Sequence, residues 1–372
     1  MKVLYDHQCF VQQQFGGVSR YHYQLIKGLN KLDDVEPKLS LKYSNNFYIT
    51  EDKSFGVKKF FPNNNFYFKR TILDFISRSS TIPDLKQGDY DIFHPTYFNP
   101  YFLNYLNNKP FILTVYDSIH EKYPEIINAI DKTLEHKKLL LSKANLIIAI
   151  SESTKNDLIQ IYNIPAEKIE VTYLAASINK AQASTNQKEN LPEKYILFVG
   201  NRDFYKNFNN FVLAVEPLLK EHKDLLLICA GGSSFTNEEK KFFHSKELEN
   251  KILHKGADDF TLATLYSNAL AFIFPTLYEG FGIPALEAMN CDCPVIMSNT
   301  SSLPEVGGEA AIYFDPNNID DMREKIKLVI INKDLRNEII LKAKSQRQKF
   351  SFEKTAIKTL EVYKRLLTNR EK

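Results

Sequence analysis

The stretch from Phe272 to Val306, FIFPTLYEGFGIPALEAMNCDCPVIMSNTSSLPEV, constrains the fold more than any other part of the chain. Ala271-Phe272-Ile273-Phe274 is a short apolar run that stops at Pro275, the pattern of a buried strand. A polar turn, a glutamate and the loop Gly280-Phe281-Gly282-Ile283-Pro284 follow. Pro284 suits the first turn of a helix, where its missing N–H is not needed. That helix is expected to continue through Met289, and Cys293-Pro294-Val295-Ile296-Met297 reads as a second strand. Strand, glycine loop, helix, strand is the βαβ unit of a parallel sheet.

The same residues suggest a site. Two glycines let the backbone approach a ligand, and the helix start beyond them offers free N–H groups and a positive dipole end to an anion. Glu279 lies in the loop and Glu287 eight residues later in the helix, so both can face one end of the sheet. Phosphate would repel carboxylates, so their natural partners are hydroxyls. A nucleotide sugar offers both, diphosphate for the amides and sugar and ribose hydroxyls for the glutamates. The alternative is an ordinary βα turn with a solvated Glu279 and a Glu287 favoured by the helix dipole.

EGFGIPALEAM at 279–289, followed by PVIMSNTSSLPEVGGEAAIYFDP at 294–316, resembles the nucleotide-sugar site of the family 4 retaining glycosyltransferases, which have the GT-B architecture. The resemblance implies two Rossmann-like doubly wound α/β domains facing across a cleft, with the last helix crossing back onto the first domain. It implies that Glu279 contacts the donor sugar and stabilises charge at its ring, and that Glu287 holds the ribose. Gly280, Phe281, Gly282 and Ile283 would then bind the donor through their backbone. The donor is a substrate, and no cofactor or metal is expected.

At 372 residues two domains are expected: 1–177 on the acceptor side, a linker at 178–192, a nucleotide-sugar domain at 193–349 and a final helix at 350–372. The linker rests on SINKAQASTNQKENLP, which is polar and lacks apolar periodicity. A net charge of +3 is too balanced to imply nucleic acid. Cys9, Cys229 and Cys293 sit in or beside apolar runs, and Cys291-Asp292-Cys293 has no second ligand pair, so reduced structural thiols in a cytoplasmic protein are expected. MKVLYDH opens directly into a strand without a signal peptide, and no apolar run approaches the roughly 18 residues of a membrane span.

Along the chain, Gly16-Gly17 precedes a helix that Ser19 can cap, with Arg20 in its first turn. Residues 40–80 mix Phe and Tyr with Lys58, Lys59, Lys69 and Arg70. They read as a mobile acceptor-side loop or a lipid-headgroup patch, or as a β-hairpin or insertion with a solvated basic face, the last being preferred. Strands ending at His94 and Val115 bring His94, Tyr116, Asp117 and His120 to strand carboxyl ends, which face the ligand crevice of a parallel sheet. Tyr195 to Val199 is a strand running into Gly200, with Arg202 and Lys206 four apart before a helix. Arg can chelate two phosphate oxygens while Lys adds a point charge.

In the family an Arg and a Lys in that loop hold the diphosphate, so the resemblance assigns these roles to Arg202 and Lys206. It also places Gly16 and Gly17 opposite the donor diphosphate and the backbone of 256–258 near the base. Asp117 becomes a donor-sugar or acceptor contact, and Arg20, His94, Tyr116 and His120 become possible contacts. Many relatives carry His-Asp where this chain has Tyr116-Asp117, a departure that removes the imidazole. The tail is most similar to the mannosyltransferase-like branch of surface-polysaccharide enzymes, so GDP-mannose is the first expected donor and a glycan or lipid-linked oligosaccharide the acceptor, with weak peripheral membrane contact. The alternatives are an idle nucleotide-sugar binder or another GT-B enzyme using a UDP-sugar.

Overall fold

The computed structural model describes residues 1–126, 131–183, 191–256 and 258–369. The chain divides into two compact units. Unit 1 holds Met1–Leu174 and the chain from Phe352 onward, and unit 2 holds Ala175–Ser351.

Unit 1 is built on β1 (Lys2–Tyr5), β2 (Glu36–Leu39), the short β3 (Tyr43–Ser44) and β4 (Lys58–Lys59), then β5 (Ile92–His94), β6 (Ile112–Val115), β7 (Leu146–Ala149) and β8 (Ile169–Val171). Two parallel three-stranded sheets, in the orders β2-β1-β5 and β6-β7-β8, are joined by a bridge between Phe93 and Phe111. β5, β6 and β7 are buried along their whole length, as strands covered on both faces must be. The helix Phe352–Thr368 packs on Gly17–Leu29, where a Cβ on Gly28 would stand 2.9 Å from that of Ala356. Thr355 also donates to the Tyr173 carbonyl at 2.8 Å, and Arg365 pairs with Glu170.

Unit 2 contains β9 (Lys194–Val199), β10 (Leu225–Ala230), β11 (Ile252–Lys255), β12 (Ala271–Phe274), β13 (Val295–Ser298) and β14 (Ala311–Phe314). They form one parallel sheet in the order β11-β10-β9-β12-β13-β14. This is the 3-2-1-4-5-6 order of a doubly wound fold, whose strand order reverses between β9 and β12. Alternate strand residues feed two cores. Tyr195, Leu197, Phe272 and Phe274 meet Ala285, Ala288 and Met289 on one side, and Ile196, Phe198 and Ile273 meet Phe211, Val215 and Ile326 on the other.

Three expectations need correction. The chain enters unit 2 at Ala175, so the segment expected as a linker begins inside that unit. Ile178 is fully buried in its core and accepts a hydrogen bond from Asn290 at 3.2 Å. Residues 184–190 of that segment lie outside the described residues, as does Ala257 of the 256–258 backbone. Of the hairpin or insertion expected within 40–80, the hairpin does not form: β3 and β4 are a parallel pair separated by helical turns and followed by the long helix Lys69–Gln87. Finally, Ser19 is not a cap. The helix starts at Gly17, and Ser19 is its buried third residue, whose N–H is capped by Gln13 Oε1 at 3.0 Å.

Candidate active site

At the switch point of unit 2, the loop after β9 and the loop after β12 meet. The N–H of Leu277 donates to the Tyr205 carbonyl at 2.7 Å, and the buried Thr276 hydroxyl donates to the same oxygen at 3.0 Å. A third loop, after β13, clamps the glycine turn. Ser302 Oγ lies 2.9 Å from the Glu279 carbonyl and 2.8 Å from that of Phe281, while the Glu279 N–H donates to Ser301 Oγ at 3.0 Å. Gly282 caps the helix Ile283–Asn290 at φ +107°, a left-handed geometry that favours glycine, and a Cβ there would fall 2.7 Å from Leu303. The turn is therefore fixed by sequence chemistry on three strand ends.

Of the charged residues, Lys206 and Glu279 meet at this turn. Lys206 Nζ donates to Glu279 Oε1 at 2.5 Å, and the two side chains are only 12% and 15% exposed. Burial works against the Lys206 charge, but the Glu279 carboxylate outweighs it and raises the amine's pKa, so Lys206 is a cation. Arg202, 5% exposed, turns the other way: Nε donates to Glu239 at 2.5 Å and Nη2 to the Ser233 carbonyl at 2.7 Å. Its guanidinium also stands 5.0 Å from the centre of the Phe235 ring. Glu239 is fixed in turn by a capping box with Thr236. Glu287 is buried on the inner face of its helix, and Tyr266 donates to its Oε2 at 3.4 Å. The Phe281 side chain is buried against Phe350, so only its backbone can meet a ligand, whereas Ile283 stays half-exposed at the helix start. Gly280 is buried within the turn.

In unit 1, Gly16 and Gly17 open their helix, and the Gln13 side chain folds over Gly16. Arg20 lies 4.9 Å from the centre of the Tyr48 ring. Asp117 follows β6 with its carboxylate turned back to the Ile119 N–H at 3.1 Å and its carbonyl accepting from Lys137 at 2.6 Å. His120 is half-buried on the short helix Ile119–Lys122. Two other residues expected as contacts belong to the core instead. His94 is the last residue of β5, in register with Tyr5, and is fully buried between the Tyr363 hydroxyl (2.7 Å) and Thr114 (2.8 Å). The Tyr116 ring is buried too, its hydroxyl 2.6 Å from His22 Nε2 and donating to the Thr96 carbonyl at 3.3 Å. Both are spent on holding strands and helices together.

Sequence reasoning missed Glu239, Ser301, Ser302, Tyr266 and Lys137. Lys137, only 2% exposed, forms a 2.6 Å ion pair with Glu121 behind Asp117. No pattern marks it within LEHKKLLLSK, but a capping box at Thr236 was readable and points to Glu239.

Two family models match adjoining parts of the chain. "Glycosyltransferase Family 4" covers residues 15–179 and "Glycosyl transferases group 1" covers 179–346. Among similar proteins, the O-antigen chain mannosyltransferase B of Escherichia coli is 32% identical over 61% of this chain and 62% of its own length. The O-antigen chain mannosyltransferase RfbU of Salmonella typhimurium is 30% identical over 51% of this chain and 52% of its own. The matched part thus spans just over half to three fifths of these two relatives. A glycosyltransferase structure from Rickettsia africae superposes with a TM-score of 0.73 at 23% identity, covering 99% of both chains. The sucrose-phosphate synthase of Thermosynechococcus elongatus does so with 0.75 at 18% identity, again over 99% of both. These likenesses establish the GT-B fold. With its two halves matched in order by the two models, the chain belongs to the family 4, group 1 glycosyltransferases.

Proposed function

We propose that this protein is a retaining glycosyltransferase that moves mannose from GDP-mannose to a glycan or lipid-linked acceptor in the synthesis of a surface polysaccharide. The observation that carries the reading is the meeting of Lys206, Glu279 and the glycine turn at the switch point of unit 2. A diphosphate laid on the amides at the start of Ile283–Asn290 would replace Glu279 as the partner of Lys206 and draw Arg202 toward it. Glu279, released, would accept from the sugar hydroxyls, and Glu287 from the ribose.

In the reaction the bond between the sugar's anomeric carbon and the phosphate oxygen breaks, and a bond to the acceptor oxygen forms on the same face. The acceptor's proton passes to the departing phosphate. Charge builds on that phosphate, and pre-aimed donors of this kind contribute roughly 3 kcal/mol each in other enzymes. Two cations and the turn amides supply the neutralisation, so the step is assigned no metal or cofactor. The mannosyltransferase names of the relatives support the sugar, and the acceptor follows from their O-antigen role. An acceptor of that kind puts the enzyme at the cytoplasmic face of a membrane. Among the described residues no helix is long and apolar enough to cross one, so the contact would be peripheral.

The test is hydrolysis and binding of GDP-mannose, UDP-glucose, UDP-GlcNAc and UDP-galactose in the presence of EDTA, with Glu279→Ala as comparison. Slow release of GDP from GDP-mannose alone, lost in the variant, is the expected result. Binding of a UDP-sugar in preference would replace the donor, and binding without turnover to any acceptor would make the protein an idle binder.

A further inference from the structure

Unit 1 carries a surface that the transfer chemistry does not use. The helix Lys69–Gln87 buries Leu73, Ser77, Thr81 and Leu85 against the unit, and its outward stripe should be polar. It is not. Phe68, Ile72 and Phe75 follow one another at helical spacing on the outside, all exposed, Phe75 by 71%. The loop before the helix extends this stripe. Phe61 and Phe66 pack edge to face at 6.0 Å and Tyr67 against Phe68 at 4.8 Å, yet all four remain exposed, Tyr67 by 94%. A contiguous exposed apolar patch of this kind marks an interaction site.

Two further features argue that the patch is built rather than incidental. Phe61 sits at φ +44°, the left-handed region that bulky side chains avoid, and Lys69 Nζ holds it there through its carbonyl at 2.9 Å. Lys69 and Arg70 occupy the first turn of their helix, the end where a cation is disfavoured, and no side chain caps it. Helix stability alone would place an acid or a capping residue there.

The charge of the surroundings selects the occupant. From Lys53 to Leu73 the chain carries Lys53, Lys58, Lys59, Lys69 and Arg70 and no Asp or Glu. The flanking Glu51, Asp52 and Asp74 pair with Lys59, Lys27 and Arg78, which leaves Lys53, Lys58, Lys69 and Arg70 as the excess positive charge. Aromatic rings projecting among cations match the boundary between anionic headgroups and acyl chains. There the rings enter the interface and the long basic side chains reach back to phosphate. We infer that the surface formed by Phe61, Phe66, Tyr67, Phe68, Ile72 and Phe75 with Lys69 and Arg70 docks unit 1 on an anionic lipid bilayer. The inference extends the reading of a lipid-linked acceptor, and it names the face of the protein that meets the membrane.

The experiment is co-sedimentation of the full chain with vesicles of phosphatidylglycerol and phosphatidylethanolamine, and separately with phosphatidylcholine alone. The wild type should bind the anionic vesicles, more weakly at high salt, and bind phosphatidylcholine far less. Each basic residue near such a surface is worth roughly fivefold in partition, so K69Q/R70Q should bind about 25-fold more weakly. Y67S/F68S should lose binding by removing the inserted rings. Y67S/F68S should keep the wild-type melting temperature and circular dichroism, since both rings face solvent. Because K69Q also gives up the bond to the Phe61 carbonyl, R70Q alone is run beside the double variant and should bind about fivefold more weakly. Both double variants should also hydrolyse the nucleotide sugar at the wild-type rate in solution. Failed vesicle binding with hydrolysis intact overturns this inference alone, whereas failed hydrolysis with vesicle binding intact overturns only the transferase reading. Equal binding by wild type and both variants would overturn the assignment, as would retention by a protein partner without any binding to vesicles.

Discussion

The buried histidine His94 makes unit 1 labile to acid by an amount that can be worked out. Its ring is fully enclosed, with Nδ1 at 2.7 Å from the Tyr363 hydroxyl and Nε2 at 2.8 Å from Thr114, so β5, β6 and the final helix all meet on it. Burial disfavours the imidazolium and lowers the pKa from 6.5 to about 3. The unfolded chain, with its ordinary pKa, takes up the proton first as pH falls. The neutral ring's contribution is therefore complete above about pH 6.5 and is lost progressively on going down toward pH 3. At about pH 4.5, two units into that window, the loss is about 3 kcal/mol, since each unit is worth a little over 1 kcal/mol. His22, whose pKa burial also lowers, with neighbouring His94 adding to the effect, pushes in the same direction. The perturbation is His94→Gln, which keeps a donor and an acceptor but does not titrate. The assay is amide hydrogen exchange read on β1, β5 and β6, because a two-unit chain need not unfold in one step. Between about pH 7.5 and pH 4.5 the wild-type opening free energy should fall by about 3 kcal/mol more than that of the variant. Equal falls would refute the reasoning.

Four other outcomes follow from the geometry. Arg202→Lys replaces a fork able to chelate two phosphate oxygens with a point charge, so affinity for a nucleoside diphosphate should drop about tenfold in a calorimetric titration. Loss of the bonds to Glu239 and the Ser233 carbonyl should lower the melting temperature as well. Gly282→Ala forces a Cβ to within 2.7 Å of Leu303 at a left-handed φ and should destabilise unit 2 by about 1–3 kcal/mol. Gly56→Ala, at φ +65° but facing open space, should cost only about 1 kcal/mol, and comparison of the two melting curves separates strain from clash. The thiols of Cys9, Cys229, Cys291 and Cys293 are all buried, with burial raising each pKa, to about 12 for Cys291. A thiol reagent should therefore label none in the native protein and all four in denaturant.

The parts of this molecule that were legible in advance are those whose signals are local. A βαβ unit is written in consecutive residues, so the strand Ala271–Phe274, the turn through Gly282 and the helix entered at Pro284 could be read in place. Caps can be just as local: Ser151, directly before the helix Glu152–Tyr162, accepts from the Thr154 N–H at 3.0 Å. Ser19 failed because Gln13, six residues away, supplies the cap instead. His94 and Tyr116 misled because a polar residue at a strand end looks alike whether it faces a crevice or a partner brought from far along the chain, here Tyr363 and His22. Ile178 was hidden among polar neighbours, and one buried isoleucine is enough to pull a presumed linker into a core. The outward aromatic stripe of Lys69–Gln87 runs against the rule that a surface helix shows one apolar face, so the sequence there favours a hairpin or insertion over a helix. Glu239 belongs to a different class. Its helix is readable, but its role depends on Arg202, which lies across the sheet ends from it.

The most direct test of the central claim is a crystal structure of the protein with a nucleoside diphosphate bound. The diphosphate should lie on the amides of Gly280 to Ile283, with Arg202 and Lys206 each about 3 Å from a phosphate oxygen and the Lys206–Glu279 pair opened. A diphosphate bound elsewhere, with Lys206 still on Glu279 and Arg202 still on Glu239, would contradict the account.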